Sequence, residues 1–258
     1  MGVCIGITSG KGGVGKSSVC IGLAYALSKR DYKVCLVDMD LGLKNLDIML
    51  GLENRVFYDI SDVALAKCSL SQALIKSKNT DNIQLLCGCK SIHIEKINQQ
   101  MFIKIIDELK DKFDYILFDT AAGIESGFKY TIQLVDQILV VSTLDSTSLQ
   151  DADRIIGLLM RDNIENIKCI INRYNPRHID KGISIQLKNA LEYLSIECIG
   201  IIYEDEQIIR GNNLGYPIVF NENSKVYECF NRVVDGLLGN EIILPKHNKS
   251  ILKWFFSS

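Results

Sequence analysis

A glycine-rich octapeptide near the N-terminus is the part of the chain whose residue types and spacing point most clearly to chemistry. It matches the pattern G-x-x-x-x-G-K-[ST] at every position and holds a second lysine inside the loop. Its residues are Gly10, Lys11, Gly12, Gly13, Val14, Gly15, Lys16 and Ser17, and Ser18 follows it. Because glycine has no Cβ, several backbone N–H groups can approach one anion together. The octapeptide therefore predicts a binding loop for nucleotide phosphates.

Two side chains at the end of the loop have the chemistry that ATP and Mg²⁺ require. Lys16 can neutralise the β- and γ-phosphates as a point charge, and the Ser17 hydroxyl can ligate Mg²⁺, which prefers oxygen ligands. The loop follows an apolar run at 3–7 and precedes a helical pattern over 17–29, so it lies where a strand meets a helix N-terminus. That context argues against the alternative, a glycine-rich turn that binds nothing.

Three aspartates follow apolar runs of strand length. Asp38 and Asp40 come after the run 34–37, and Asp119 comes after the run 115–118. Carboxylates at the carboxyl ends of strands beside a phosphate loop can hold Mg²⁺, directly or through its waters. Asp38 and Asp40 lie two residues apart on an extended segment, so one can steady the metal while the other positions a water. The alternative for each is a turn residue or a helix N-cap.

Strand-like runs alternate with helical patterns along the chain. The predicted strands after the first are 34–37, 83–87, 115–118, 138–141, 169–171 and 199–202. Such alternation is typical of an α/β fold with a doubly wound, mostly parallel sheet and helices on both faces. We predict one domain over 1–240 and a distinct tail over 241–258, since no linker-like stretch interrupts the first 240 residues.

Composition narrows the classes of function. The chain has 258 residues, of which 47% are hydrophobic, and a net charge of −2 from 29 basic and 31 acidic residues. No apolar run is long enough to span a membrane, no signal peptide opens the chain, and no excess of positive charge favours nucleic acid. We therefore expect a cytoplasmic protein that does not bind nucleic acid. Five of the nine cysteines fall in runs that read as buried strands, where a thiol acts as a small hydrophobe, and they are Cys4, Cys35, Cys87, Cys169 and Cys198. Cys87 and Cys89 lack the spacing of a metal site.

The last residues form a short basic and apolar pattern. On a helical wheel the apolar side chains fill one side, opposite Lys249 and Lys253. They are Ile251, Leu252, Trp254, Phe255 and Phe256. The pattern predicts an amphipathic helix that lies on an anionic membrane. The alternative is a C-terminal segment that packs its aromatic side chains on the domain itself.

Beyond the loop, the chain resembles the deviant phosphate-loop ATPases, whose loop reads K-G-G-x-G-K-[ST]. Three segments share order and spacing with that family, and they lie at 38–47, 173–176 and 204–219. The short apolar and basic C-terminus resembles the membrane-targeting tail of the members that place the cell-division septum. The resemblance covers essentially the whole chain.

The resemblance implies roles for individual residues. Lys11 matches the family's signature lysine, which is expected to reach the partner's phosphates in a homodimer that forms around ATP. Asp40 matches the residue that orients the attacking water, and Asp38 and Asp119 match the acids around Mg²⁺. Asn172 and Arg173 match positions at the adenine base. Asn45 and Glu125 match positions near the dimer face.

The same resemblance implies an ATPase that docks on the inner face of the membrane, hydrolyses ATP to ADP and phosphate, and recruits a cell-division inhibitor. A topological regulator, either a peptide or a polar scaffold, is the second expected partner. A flagellar-number or chromosome-partitioning ATPase is the first alternative. An iron–sulfur electron-transfer ATPase and a binding module without hydrolysis are the others. Two departures from the family pattern, Ala121 and Tyr203 in place of prolines, bear on the second switch and the base pocket.

Overall fold

An eight-stranded sheet runs through the centre of the molecule. The computed structural model describes residues 1–39, 46–89, 98–121, 123 and 131–245. Within these residues the strands β1 to β8 are Val3–Thr8, Val34–Met39, Ile75–Lys76, Ile83–Leu86, Tyr115–Thr120, Gln137–Ser142, Ile167–Tyr174 and Glu197–Tyr203. Their order across the sheet is β3-β4-β2-β5-β1-β6-β7-β8. Every pairing is parallel except that of β3 with β4, so the carboxyl ends of seven strands meet at one edge.

Ten α-helices connect or flank these strands in the part of the chain that the structure describes. In chain order, α1 to α10 are Lys16–Ser28, Leu46–Met49, Ile60–Ala64, Leu70–Ala73, Gln99–Lys112, Ser146–Arg161, Pro176–Asp180, Leu187–Leu194, Glu206–Asn213 and Lys225–Leu237. Within the described ranges, no α-helix combines the length and the apolar composition of a membrane span.

Side chains alternate between the two faces of the sheet, and each face is covered by helices. Leu36 belongs to the core under α1 and α10, whereas its neighbour Val37 belongs to the core under α5 on the other face. A third core joins β6 and β7 to α6 and α8. Helix α1 is buried along nearly its whole length, because it packs on the sheet and against α10, where an added Cβ at Gly22 would lie 2.2 Å from the Phe230 ring. This burial fixes the helix that begins at the phosphate loop.

The predicted fold class is confirmed, and the differences lie at element ends. Strands β2 and β5 continue to Met39 and Thr120. Asp38 and Asp119 are therefore the second-to-last residues of their strands and do not follow them, as had been predicted. The short β3 was not predicted, because two residues carry no periodicity. Cys198, expected in a buried run, is only partly buried because β8 lies at the sheet edge. The domain boundary at 240 stays a prediction.

Candidate nucleotide-binding site

The glycine-rich loop connects the end of β1 to the start of α1, as predicted. Gly13 and Gly15 have positive φ angles of 78° and 98°, which side chains other than glycine rarely adopt. At Gly15 an added Cβ would also lie 2.3 Å from Asn172 Nδ2, whereas at Gly12 and Gly13 nothing lies within 4 Å. The loop is thus fixed on its protein side by close contacts and is open on the side where a phosphate would lie.

Helix α1 begins at Lys16 with no side-chain cap from the described residues. The first-turn N–H groups of a helix need a partner, and an anion supplies one while interacting favourably with the helix dipole. Lys16 is only 8% exposed and forms no ion pair with a described residue. Ser17 follows it in the first turn. A buried cation beside uncapped amides is the arrangement that a polyphosphate fits.

Asp38 and Asp119 are brought together by the register of the sheet. They are direct partners across β2 and β5, and they are 2% and 1% exposed. Both carboxylates lie close enough to Cys20 in α1 to act on its thiol, whose pKa is raised chiefly by burial and further by Asp119 and Asp38. Two acids that the sequence placed 81 positions apart, from 38 to 119, therefore share one site next to the first turns of α1.

The donor set around these acids fits Mg²⁺. The Ser17 hydroxyl and the two carboxylates are all oxygen ligands, and Thr8 Oγ1, at the end of β1, is a buried atom with no hydrogen-bond partner in the described structure. No group of three His, Cys, Asp or Glu side chains that could cage a metal occurs within the described ranges. Mg²⁺ usually binds through one or two carboxylates, waters and substrate phosphates, so the site suits it when a nucleotide is bound.

The Lys11 side chain contacts the N-terminus of α6. Its Nζ donates to Thr147 Oγ1 at 2.9 Å and lies 3.6 Å from Asp145 Oδ1. Both side chains of this ion pair are nearly half exposed, so the pair contributes little to stability. The two lysines of the loop are therefore in opposite states, since Lys16 is buried at the helix start and Lys11 is held at the surface.

Asp145 is a strongly ionised carboxylate. Partial burial opposes ionisation, but hydrogen bonds from the Thr143 hydroxyl, the Ser148 N–H and the Thr147 hydroxyl, together with the Lys11 charge, lower its pKa to about 2. The Ser148 bond is 2.9 Å long and makes Asp145 the N-cap of α6. This partner of Lys11 was not predicted from the sequence. The signal was the Asp-Ser-Thr-Ser run after β6, which is typical of a helix start.

The carboxyl ends of β7 and β8 form a second part of the site. Asn172 is 4% exposed, and its Nδ2 donates to the Val14 carbonyl oxygen at 2.7 Å, which ties the phosphate loop to β7. A cavity of about 100 Å³ opens beside it. The cavity is lined by Gly15, Ser18, Asn172, Arg173, Tyr203, Glu204, Asp205, Glu206, Ile208 and Ile209. The predicted base residues and the phosphate loop are thus adjacent.

Arg173 has a φ of +53°, in the left-handed region that a residue with a Cβ adopts at a cost. It lies where the register of β7 and β8 shifts between Ile171 and Tyr174. Backbone strain of this kind is concentrated at functional sites, which agrees with a position at the base. On the other side of the cavity, Asn212 Nδ2 donates to Ser18 Oγ at 2.9 Å and joins α9 to α1.

Tyr203 is shared by two cavities. Its ring packs edge-on against the buried Tyr174 ring, with centroids 5.2 Å apart, and it lines the cavity beside Asn172. It also lines a larger cavity of about 560 Å³ between β8, α10 and the chain at 241–245. The residue that departs from the family's proline thus stands between the candidate base pocket and the segment that leads to the C-terminus.

Several predicted residues lie outside the described residues, so the structure does not place them. They are Asp40, Asn45, Glu125 and the tail residues Ile251, Leu252, Trp254, Phe255 and Phe256. The loop residues, Asp38, Asp119, Asn172 and Arg173 are all described and lie around the end of β1 and α1.

Comparisons with known proteins agree with this geometry. The family model described as the CobQ/CobB/MinD/ParA nucleotide binding domain matches residues 5–218, so the chain belongs to this family of nucleotide-binding proteins. More particularly, the chain is similar to septum-site-determining proteins named MinD. The MinD of Thermotoga maritima is 41% identical over 255 residues, covering 98% of this chain and 94% of the relative.

Two solved structures extend the likeness to three dimensions. MinD in a MinC:MinD cell-division complex of Aquifex aeolicus superposes with a TM-score of 0.87 at 36% identity, covering 95% of this chain and 98% of that chain. MinD of Pyrococcus horikoshii, solved with Mg-ADP, superposes with a TM-score of 0.80 at 28% identity, covering 93% and 98%.

Proposed function

We propose that this protein is an ATPase that dimerises around ATP, associates with the inner face of the membrane and regulates placement of the cell-division septum. The observation that carries the proposal is the pairing of Asp38 with Asp119 beside a phosphate loop whose Lys16 is buried. The similarity to MinD proteins over nearly the whole chain supports the cellular role. Hydrolysis yields ADP and phosphate.

In this proposal, ATP and Mg²⁺ would be held by residues of the phosphate loop, β2, β5 and β7. The N–H groups of residues 10–18 and the Lys16 ammonium would bind the phosphates, and Ser17, Asp38 and Asp119 would hold Mg²⁺. When bound, Mg²⁺ would supply positive charge that offsets the charge developing on the phosphoryl oxygens. Asn172 and Arg173 bind the adenine base in the cavity at the end of β7. Because Lys16 is buried, its attraction for a phosphate is stronger than that of the same charge in water.

Lys11 and Asp40 complete the reaction only in the dimer. In the single chain Lys11 is held by Thr147 and Asp145, at the surface and away from α1. In the proposed dimer it leaves these partners and reaches the other subunit's phosphates, where a positive charge stabilises the transition state. Asp40 orients the attacking water. This division of roles makes hydrolysis slow in a monomer and faster in a dimer.

The tail couples the nucleotide to the membrane. A helix as short as the one predicted near 249–256 is marginal in water, so ordering it opposes much of the gain from burying its five apolar side chains. One tail therefore binds weakly. Two tails in one dimer make the second insertion intramolecular, which raises avidity by roughly 10²–10⁴. ATP binding then recruits the protein to the membrane, and hydrolysis releases it.

The expected partners follow from the same proposal. On the membrane the dimer binds a MinC-like division inhibitor, as in the complex solved for the Aquifex relative. A topological regulator, either MinE-like or a polar scaffold, stimulates hydrolysis. Nucleic acid is not expected, since a net charge of −2 gives no general attraction for a polyanion.

Sedimentation with anionic liposomes tests the proposal. We expect the full chain to sediment with ATP and far less with ADP, and a chain that ends at residue 245 to stay in the supernatant with either. Phe255→Asp removes an apolar anchor and adds a negative charge, so binding should fall to background while ATP binding persists. Ser257→Asp is the matched control, because it adds the same charge without removing an anchor, and most binding should remain.

The opposite pattern would overturn the membrane role. If the aromatic side chains pack on the domain, Phe255→Asp lowers the unfolding midpoint by several degrees and the unmutated chain does not sediment even with ATP. Binding of the ATP form to DNA in place of liposomes would support a partitioning ATPase instead.

A further inference from the structure

Two cysteines face each other across the last two strands of the sheet. Cys169 on β7 and Cys198 on β8 are direct partners in the parallel register. The next pair is Ile170 with Gly200, so β8 holds one extra residue just beyond Cys198. Partners in adjacent strands lie about 4.8 Å apart and project to the same face. A disulfide needs about 4.4–6.8 Å between Cα atoms, so the backbone already meets this requirement.

The two thiols are in contact and differ in exposure. The Cys169 and Cys198 side chains interact across the two strands, and the Cys198 thiol donates a hydrogen bond to the Gly200 carbonyl oxygen at 3.4 Å. Cys169 is fully buried, whereas Cys198 is partly exposed on the edge strand. A small oxidant can therefore reach Cys198 first and leave Cys169 as the neighbour that responds.

The environment also divides the two thiols chemically. The hydrogen bond from Cys169, followed by backbone hydrogen bonds, lowers the pKa of Cys198 against the effect of burial. The same contact and burial raise the pKa of Cys169. Because the thiolate is the nucleophile, Cys198 is the sulfur that attacks and Cys169 is the one that resolves.

We propose that Cys169 and Cys198 form an oxidative modification site that reacts with hydroperoxides and closes to a reversible disulfide. This site is separate from the nucleotide chemistry and does not depend on the proposed function. It uses two residues that the nucleotide site leaves unused, on the strands whose carboxyl ends carry Asn172 and Tyr203.

The reaction balances with hydrogen peroxide as the oxidant. The Cys198 thiol loses its proton, and its sulfur attacks one peroxide oxygen. The O–O bond breaks, the leaving hydroxide takes up that proton as water, and Cys198 becomes a sulfenic acid. The Cys169 sulfur then attacks the Cys198 sulfur. The S–O bond breaks, and the leaving hydroxide takes the Cys169 proton. Two thiols and one peroxide thus give one disulfide and two waters, and a dithiol reductant reverses the step.

The disulfide would link the edge strand β8 covalently to β7. Strand β8 pairs with β7 on one side only, at the end of the sheet. A covalent link between positions 169 and 198 restricts the unfolded chain, and we expect the unfolding midpoint of the oxidised protein to rise by roughly 5–10 °C. Nucleotide binding needs no change for this inference to hold.

Peptide mass spectrometry tests the inference on the full chain. The protein is treated with increasing hydrogen peroxide, its remaining thiols are alkylated, and it is digested without reductant. We expect the peptide pair linked through Cys169 and Cys198 to form before any other cysteine is oxidised, and to disappear with dithiothreitol. The rise in unfolding midpoint should appear with the link and vanish with it.

Two variants separate this site from general oxidation. Cys198→Ser should abolish both the link and the rise in midpoint. Cys68→Ser is the matched control, because Cys68 is also partly exposed but burial raises its pKa, and the link should form as in the unmutated chain. Cys169→Ala should leave a Cys198 sulfenic acid that dimedone traps. Oxidation of Cys68 before the pair, or sulfinic acid at Cys198 with no link, would overturn the proposal.

Discussion

The phosphate end and the base end of the candidate site are built by different means. At the phosphate end, one continuous stretch supplies a backbone cradle, a buried lysine and the start of α1. At the base end, side chains from β7, β8 and α9 converge on a small cavity, and one of them has a strained backbone. The difference leads us to expect that the loop supplies most of the affinity for a nucleotide through charge, and that the base end discriminates between bases through fitted side chains.

The largest expected effect breaks the phosphate end. Lys16→Ala should weaken ATP binding by about 2–5 kcal/mol, because it removes a buried charge that no described residue can replace. Isothermal titration measures the affinity. Lys11→Ala is the matched control in the same loop. It should retain nucleotide binding and lose ATP-dependent dimerisation, seen by size exclusion. Equal loss of binding in both variants would mean that the two lysines do not have separate roles.

A second substitution tests the contact that joins the two ends. Gly15→Ala places a Cβ 2.3 Å from Asn172 Nδ2 at a φ of +98°, so we expect about 1–3 kcal/mol of destabilisation without nucleotide. Gly12→Ala meets nothing within 4 Å and should leave the unfolding midpoint nearly unchanged. Thermal unfolding measures the midpoints of both variants. Similar midpoints would contradict a contribution of the close contact between Gly15 and β7 to stability.

The base end should respond with opposite changes in stability and binding. Arg173→Gly relieves the positive φ and should stabilise the free protein by about 0.5–1 kcal/mol, since the cost of the left-handed conformation exceeds that of glycine flexibility. Its affinity for ATP relative to inorganic triphosphate should fall. Asn163→Gly relieves a similar φ of 60° after α6 and should leave this ratio unchanged. A fall in both variants would argue against a role for Arg173 at the base.

The smallest effect concerns Asp145, which holds Lys11. Its folded pKa of about 2 lies below its usual value of 3.8, so its contribution to stability is present above about pH 4 and is lost as the pH falls through 2. Carbon-13 NMR can follow the carboxylate. Thr147→Val removes one of its hydrogen bonds and should raise this pKa more than Lys11→Ala does, because the lysine charge is the weaker cause. The reverse order would make the ion pair dominant.

The predictions from the sequence agree best with the structure where the candidate functional residues lie in one continuous segment. The loop, the start of α1 and the class of sheet were predictable, because spacing and alternation are local properties. The pairing of Asp38 with Asp119 followed from parallel strands whose ends share an edge. The residues of the base end were predicted only through resemblance, since they are distant in sequence and have no local pattern, and their role stays a prediction. The Lys11 contact, across 136 positions, was missed for the same reason.

Tyr203 couples two cavities of the molecule, because it lines both of them. Its ring is a common wall of the cavity beside Asn172 and of the cavity closed by residues 241–245. A wall shared by two chambers cannot move for one without moving for the other. If a ligand in the base cavity favours one position of the Tyr203 ring, the same free energy favours the conformation of residues 241–245 that fits this ring position. By thermodynamic linkage the effect is reciprocal. A ligand that binds the C-terminal segment would then change the affinity for nucleotide by an equal factor, and the Tyr203 ring would couple the two sites.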